Sequence, residues 1–262
     1  MALHTTRGIV LARRPLGEQD RLVEFFTRDH GRVRGVARSA RRPRGRLTAA
    51  LEPFTLGTLV FFDTGRSELV RVDHFDIIDA FGGLRDHLDR LGRAGWVLET
   101  VARLSAERDP QPPLFGLLAR GLGALARRAR PDRVFAIFAL RAVDLLGLRP
   151  RIDRCVGCGR PFPFAEPALD VFAGGLICEG CVAGAEAMAI SGGAVGTLLR
   201  LRQLAWEEAL RLRLTAELDR ELTFLAEGIV TRLIGQPVRA GRFLAQTRRG
   251  LAHVAEPSPP DR

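Results

Sequence analysis

The spacing of apolar residues changes once along this chain, from a period of two to a period of about 3.6, and the change falls close to residue 80. Before it, runs at 8–12, 22–27, 33–37, 56–62 and 69–75 are rich in Val, Phe, Leu and Thr. Segments holding Gly, Pro or Asp separate them, so they read as short strands. Asp29-His30-Gly31 has the composition of a hairpin turn, with Gly31 able to take positive φ. Arg32, Arg34 and Arg38 occupy alternate positions and Val33 and Ala37 the others, so pleating sends the arginines and the small apolar residues to opposite faces. Five short strands in about 80 residues suggest a small closed barrel. The oligonucleotide-binding barrel is the commonest of that size, although a five-stranded SH3-like barrel would give the same string.

From Leu84 the pattern is helical. Leu84, Leu88, Leu91, Gly95, Leu98 and Ala102 follow three- and four-residue steps, with Arg and Asp on the opposite face. The Pro-rich segment 109–113 breaks the chain, and 114–129 resumes a helix. The stretch 133–148 is nearly continuous in apolar residues and is expected to be the most buried helix, ended by Gly147 and Pro150. Two further amphipathic helices are expected at 198–214 and 217–234, and 251–262 reads as a disordered tail. The fold class is α+β: a nucleic-acid-binding barrel over 1–80, a helical domain in two parts over 81–150 and 191–250, and a cysteine-bearing element over 151–190.

All four cysteines lie in that element, as Cys155-x2-Cys158 and Cys178-x2-Cys181. Two tight pairs brought together by a hairpin-like excursion supply the four thiolates of a tetrahedral structural Zn2+ site, one ion per chain. Gly157, Gly159 and Gly180 suit knuckle turns, where backbone N–H groups point at sulfur and a side chain would crowd. Two disulfides are the competing reading, disfavoured by the absence of an export signal and by the strain of closing a C-x2-C ring. Catalytic zinc is disfavoured further, since four thiolates leave no open position for water.

Charge is concentrated rather than spread. The net charge of +10 divides as +4, +5, −2 and +3 over residues 1–80, 81–150, 151–190 and 191–262, and 32–46 alone carries seven Arg and no acid. Such a patch attracts polyanions, and a planar guanidinium suits phosphate. Arg32, Arg34, Arg38, Arg41, Arg42, Arg44 and Arg46 are therefore the candidate nucleic-acid contacts, with Phe25, Phe26, Phe61 or Phe62 as stacking partners unless they are core. Every one of the 40 basic residues is Arg, an ordinary signature of a GC-rich genome. With no Lys there is no Walker A site, Schiff-base enzyme or kinase-type ATP clamp on the usual scheme.

Other chemistry is thin. The five histidines are scattered, Asp86, His87 and Asp89 read as solvated charge, and neither a nucleophile elbow nor a Gly-rich phosphate loop is present, so an enzyme is not expected. No signal-peptide pattern opens the chain, and the longest uncharged stretch, 187–199, falls short of the roughly 20 residues of a membrane span. A cytoplasmic, nucleoid-associated protein with no membrane contact is the expectation.

The segment GIVLARRPLGEQDRLVEFFTRDHGRVRGVARSARRPRGRLTAALEPF resembles the start of the bacterial RecO family of DNA repair proteins, with its Ile-Val-Leu strand, Gly-Glu-x-Asp turn, Thr-x-x-x-Gly hairpin, basic loop and Glu-Pro-Phe corner. FALRAVDLLGLRPRIDRCVGCG resembles the family's central helix and first zinc knuckle, and Gly174-Gly175-Leu176-Ile177-Cys178 its approach to the second. The resemblance implies an oligonucleotide-binding (OB-fold) barrel, a helical domain and a zinc-binding element. It also implies a recombination mediator without ATPase activity that binds single- and double-stranded DNA, anneals complementary strands and helps load RecA onto strands coated by single-strand-binding protein (SSB). RecR and the acidic, Phe-terminated tail of SSB are the implied partners. The family's basic loop falls on Arg38, Arg41, Arg42, Arg44 and Arg46, and its knuckles on Cys155, Cys158, Cys178 and Cys181.

An acidic peptide ending in an aromatic needs an apolar groove rimmed by cations, and Arg127, Arg128 and Arg130 beside Phe135 and Phe138 are the sequence candidate for it. Two other classes remain open: a zinc-ribbon factor acting in transcription or on RNA, and an adaptor whose basic loop grips an acidic protein.

Overall fold

The computed structural model describes residues 2–40, 47, 50–65, 67–128, 130–241, 243, 244 and 246. Arg41, Arg42, Arg44 and Arg46 of the basic loop, and the 251–262 tail, lie outside the described residues.

Five strands, β1 (Ala2–Leu16), β2 (Asp20–Thr27), β3 (Gly31–Ala37), β4 (Leu56–Asp63) and β5 (Leu69–Asp79), close into a barrel in the order β1-β2-β3-β5-β4. Neighbours are antiparallel except β3 and β5, which run parallel. This is the arrangement of an OB-fold barrel, which resolves the choice between the two small barrels. The first strand is longer than its apolar run because it serves two neighbours. Its first half pairs with β4, its second with β2, and a bulge between Val10 and Ala12 turns it from one to the other. Gly31 takes φ +63° at the hairpin and has a second reason to lack a side chain, since a Cβ there would stand 2.3 Å from the Asp109 carbonyl oxygen.

Alternation along the strands sorts the barrel into two faces. Val10, Val23, Phe25, Val33, Leu59, Phe61, Val72 and Phe75 fill the interior. Ile9, Leu11 and Phe26 point outward and join the core of the helical part, where Phe26 meets Phe115 at 6.3 Å between ring centroids.

The helical part comprises α1 (Leu88–Leu104), α2 (Pro112–Arg127), α3 (Pro131–Leu145), α4 (Gly192–Gln203), α5 (Trp206–Arg211) and α6 (Ala216–Ile234). As expected, α3 is the buried centre, with Val134 to Ala139, Ala142 and Val143 all inside. Two expectations are corrected. The inward face of α1 is Gly92, Arg93, Ala94, Trp96, Val97, Leu98, Thr100 and Val101, whereas Leu88 is 48% exposed. Arg93, placed by periodicity on the solvated face, is 1% exposed because Asp132 (2.6 Å) and Glu227 (2.5 Å) compensate its charge and the Phe135 ring lies 4.7 Å from its guanidinium carbon.

The helix expected at 198–214 is two helices, α4 and α5. The Arg141 guanidinium donates to the carbonyls of Leu201 (3.3 Å) and Leu204 (2.6 Å), satisfying the end of α4, and the Glu208 carboxylate accepts from the Ala205 N–H at 2.8 Å to begin α5. After α6, the chain folds back over α1, where Glu99 accepts from the N–H groups of Arg239 and Ala240. Gly92 makes room there for the Leu244 side chain. Among the described residues no helix is long and apolar enough to cross a membrane.

Candidate nucleic-acid interface and metal centre

Between α3 and α4 the chain forms a small three-stranded sheet of β6 (Ala168–Asp170), β7 (Gly175–Ile177) and β8 (Met188–Ala189), ordered β7-β6-β8. The knuckles flank it. The Gly159 N–H donates to the Cys155 carbonyl and the Cys181 N–H to the Cys178 carbonyl, each at 2.9 Å, which folds both C-x2-C segments into tight turns. The four sulfurs lie within 4.8 Å of one another, and Cys158 and Cys178 are 3.8 Å apart. That separation is the edge of a tetrahedron with bonds of about 2.3 Å to a central metal, and far beyond the ~2.05 Å of a disulfide. All four thiols are free.

One of the thiols, Cys155, is already biased toward ligation. Burial works to raise the Cys155 pKa, but the N–H groups of Cys158, Cys178 and Gly157 point at its sulfur and bring it down to about 6. Cys181, hydrogen-bonded by its thiol to Cys178, Cys158 and Cys155, is pushed up to about 12. The four sulfurs face one point, where a soft divalent cation would take the place of the thiol protons. Gly157 is favoured, because a Cβ there would crowd the Cys181 Cβ and sulfur at 3.1 Å, and Gly159 takes φ +79°. Gly180 is not, since its missing side chain faces open space.

The barrel arginines divide sharply. Arg32 pairs with Glu24 (2.9 Å) and approaches Glu107 (3.9 Å), and Arg34 pairs with Glu68 and Glu107, both at 3.0 Å. Arg13 pairs with Glu52 at 2.5 Å. Arg38, which leaves the end of β3 for the basic loop, is exposed and has no carboxylate partner among the described residues. Neither has Arg71 on β5, whose guanidinium carbon lies 4.4 Å from the centroid of the Phe62 ring. Of the four phenylalanines considered for stacking, Phe25, Phe26 and Phe61 are buried in the two cores and Phe62 is partly open to solvent.

The Arg127, Arg128 and Arg130 cluster is not a rim around Phe135 and Phe138, because both rings are fully buried in the helical core. Arg128 pairs with Glu207 at 2.5 Å and Arg130 with Asp219 at 3.1 Å, and Arg127 lies exposed against Gly123 of its own helix. A groove of about 310 Å³ opens elsewhere, lined by Leu117, Leu140, Leu201 and neighbouring apolar residues, with Arg120, Arg141 and Arg202 at its edges. Burial lowers the Arg141 and Arg202 pKa values, helped by the like charges of Arg120 and Arg149 respectively, and Asp144 is the one carboxylate among the described lining residues. Sequence spacing could not reveal this groove, since its walls come from α2, α3, α4 and α6. Asp86, His87 and Asp89 are exposed, as expected of solvated charge.

Residues 1–81 match the family model for the Recombination protein O N terminal region, and residues 85–242 match that for the Recombination protein O C terminal region. The chain belongs to the RecO family of DNA repair proteins. Among RecO proteins, DNA repair protein RecO of Anaeromyxobacter dehalogenans is 36% identical over 241 residues, covering 90% of this chain and 94% of the relative. DNA repair protein RecO of Myxococcus xanthus is 35% identical over 241 residues, with coverage of 91% and 96%. That of Symbiobacterium thermophilum is 33% identical over 257 residues, with coverage of 95% and 99%. RecO membership accounts for the barrel and the helical region as one architecture, and it confirms the resemblance drawn from the N-terminal string and the first knuckle.

Proposed function

We propose that this RecO-family chain is a recombination mediator that works without a catalytic site. It binds single- and double-stranded DNA, anneals complementary strands, and with RecR helps load RecA onto SSB-coated strands in the bacterial nucleoid. The observation that carries the reading is the distribution of unpaired charge on the barrel. Arg32 and Arg34 are matched by carboxylates, while Arg38 and Arg71, like Arg7 and Arg14 on β1, have none among the described residues, and Arg38 and Arg71 flank the point where the Arg-rich loop leaves β3. Phosphates meet cations there without first displacing an internal carboxylate, so Arg38, Arg41, Arg42, Arg44 and Arg46 carry the contact and Arg32 and Arg34 support it. Guanidinium contacts to phosphate read no base sequence, and two strands held against one cationic surface repel each other less, which favours annealing.

The four thiols hold one Zn2+, which ties the 151–190 element together and supplies no reactive position. The SSB tail seats in the groove edged by Arg120, Arg141 and Arg202, where its terminal aromatic fills the apolar floor and its carboxylates face the cations. The deciding experiment is annealing of complementary strands coated with SSB, in the absence of nucleotide triphosphate. Acceleration by this chain supports the reading. No acceleration, together with loss of DNA retention at moderate salt or a preference for RNA, overturns it.

A further inference from the structure

Strand register places four residues in one outward row across the barrel. Leu3 of β1 pairs with Phe62 of β4, Phe62 with Arg71 of β5, and Arg71 with Val36 of β3. Directly paired residues share a face, so all four side chains point away from the interior. Their exposure agrees: Leu3 is 58% exposed, Arg71 is exposed, and Phe62 and Val36 are half-buried. The interior positions beside them, Phe61, Val70, Val72 and Ala37, are buried. The helical part covers the outer faces of β1 and β2 through Ile9, Leu11 and Phe26, and its connection at Glu107 and Arg108 reaches Arg32, Arg34 and Asp63, while Leu3 and Arg71 of this row stay exposed.

We propose that Phe62 and Arg71 form a stacking platform for an unpaired base of a single strand, flanked by Leu3 and Val36. This rests on the DNA-binding reading and adds to it a contact with bases. The ring offers a flat apolar face, and the guanidinium over it is a cation with no carboxylate to release among the described residues. An incoming base stacks on the ring while the displaced guanidinium turns to the phosphate of the same nucleotide. The strand runs from the platform toward Arg38, the exposed cation at the end of β3, and passes Asp73, which the parallel register sets level with Arg38. Stacking occupies the face of a base and leaves its pairing edge free. A strand held this way still presents its sequence to a complementary strand, as annealing requires.

The platform and the loop are separable, because a duplex keeps its bases stacked inside while exposing its phosphates. In equilibrium binding to a labelled oligonucleotide, Phe62→Ala weakens single-strand affinity about five-fold or more and leaves duplex affinity within about two-fold. Its salt slope for single strands is unchanged, since no charge is removed. Phe62→Trp keeps single-strand affinity, and its emission is quenched by a single strand and not by a duplex. The two native tryptophans, Trp96 and Trp206, are buried and give a steady background. Arg71→Ala weakens binding and reduces the slope by about 0.7.

Unchanged single-strand affinity in Phe62→Ala, or equal loss for single strand and duplex, overturns the platform while the DNA-binding reading stands. Absence of any DNA retention by the unaltered protein overturns both.

Discussion

Arg34 of β3 and Glu107, in the connection after α1, approach to 3.0 Å across 73 residues of chain. The connection lies along the barrel edge: Arg108 donates its N–H to the Arg32 carbonyl at 3.0 Å and its guanidinium to Asp63 at 2.5 Å. The helical part thereby adds a carboxylate to two barrel arginines that Glu24 and Glu68 already meet, and leaves Arg38 without one among the described residues. Position in the fold, rather than the number of arginines, decides which of them a phosphate meets.

Neutralising that clamp should release a cation to DNA. Glu107→Gln is expected to tighten single-strand binding and to steepen its salt slope by up to about 0.7, because Arg34 is then held only by the exposed Glu68 while Arg32 keeps Glu24. The lost ion pair is largely solvated and should cost under about 1 kcal/mol of stability. Fluorescence titrations at several salt concentrations check this. Weaker binding at unchanged slope would show that Glu107 does not shield the pair.

Arg93 is the opposite case, a charge buried on α1 and held by Asp132 of α3 and Glu227 of α6. Arg93→Ala removes the cation and leaves two carboxylates facing a cavity, so a loss of about 3 kcal/mol is expected in urea denaturation. A change below about 1 kcal/mol would mean that the carboxylates relax into solvent and that the triad does not hold the helices together.

Removing the metal should act locally. Metal analysis of the purified protein is expected to give one zinc per chain, and Cys178→Ser should lower that content sharply. Hydrogen exchange should then accelerate across 151–190, while the barrel keeps its protection, since its core shares no residue with the knuckles. Full protection of the knuckles after metal loss would contradict a structural role for the ion.

The groove gives a separate test. Arg120 is exposed and makes no carboxylate contact among the described residues, so Arg120→Glu can be made without disturbing the core. Affinity for a synthetic acidic peptide ending in Phe should fall at least about ten-fold, because a cation at the groove edge becomes a like charge. An Arg127/Arg128/Arg130 triple Ala variant should bind that peptide as the unaltered protein does. The reverse pattern would return the site to that cluster.

Much of this was legible in residue order. Period-two alternation found the five strands, and the Cys-x2-Cys spacing found the four-sulfur cluster, because in both cases the determinants are close in sequence. The extension of β1 to Ala2 at one end and Leu16 at the other was hidden, since Thr5, Arg7 and Arg13 carry no apolar signal and a strand that changes partner at a bulge needs none there. The burial of Arg93 was hidden for a different reason: its compensating carboxylates come from helices 39 and 134 residues away. The start of α4 at Gly192 was masked by two poor helix formers, which the structure accommodates because the Ser191 hydroxyl accepts from the Ala194 N–H at 3.1 Å. Phe62 was partly legible. Adjacent Phe61 and Phe62 in one strand cannot both face the core, yet only the register with Arg71 says which faces out and what meets it there.

The salt dependence of single-strand binding tests the central claim most directly. With about five loop arginines on phosphates, log affinity should fall with log salt at a slope near −3.5, and Arg41/Arg42/Arg44 replaced together by Ala should flatten it by about two. A slope identical in the unaltered and triple-variant proteins would contradict the account, because DNA would then be held by cations elsewhere than the segment that leaves β3.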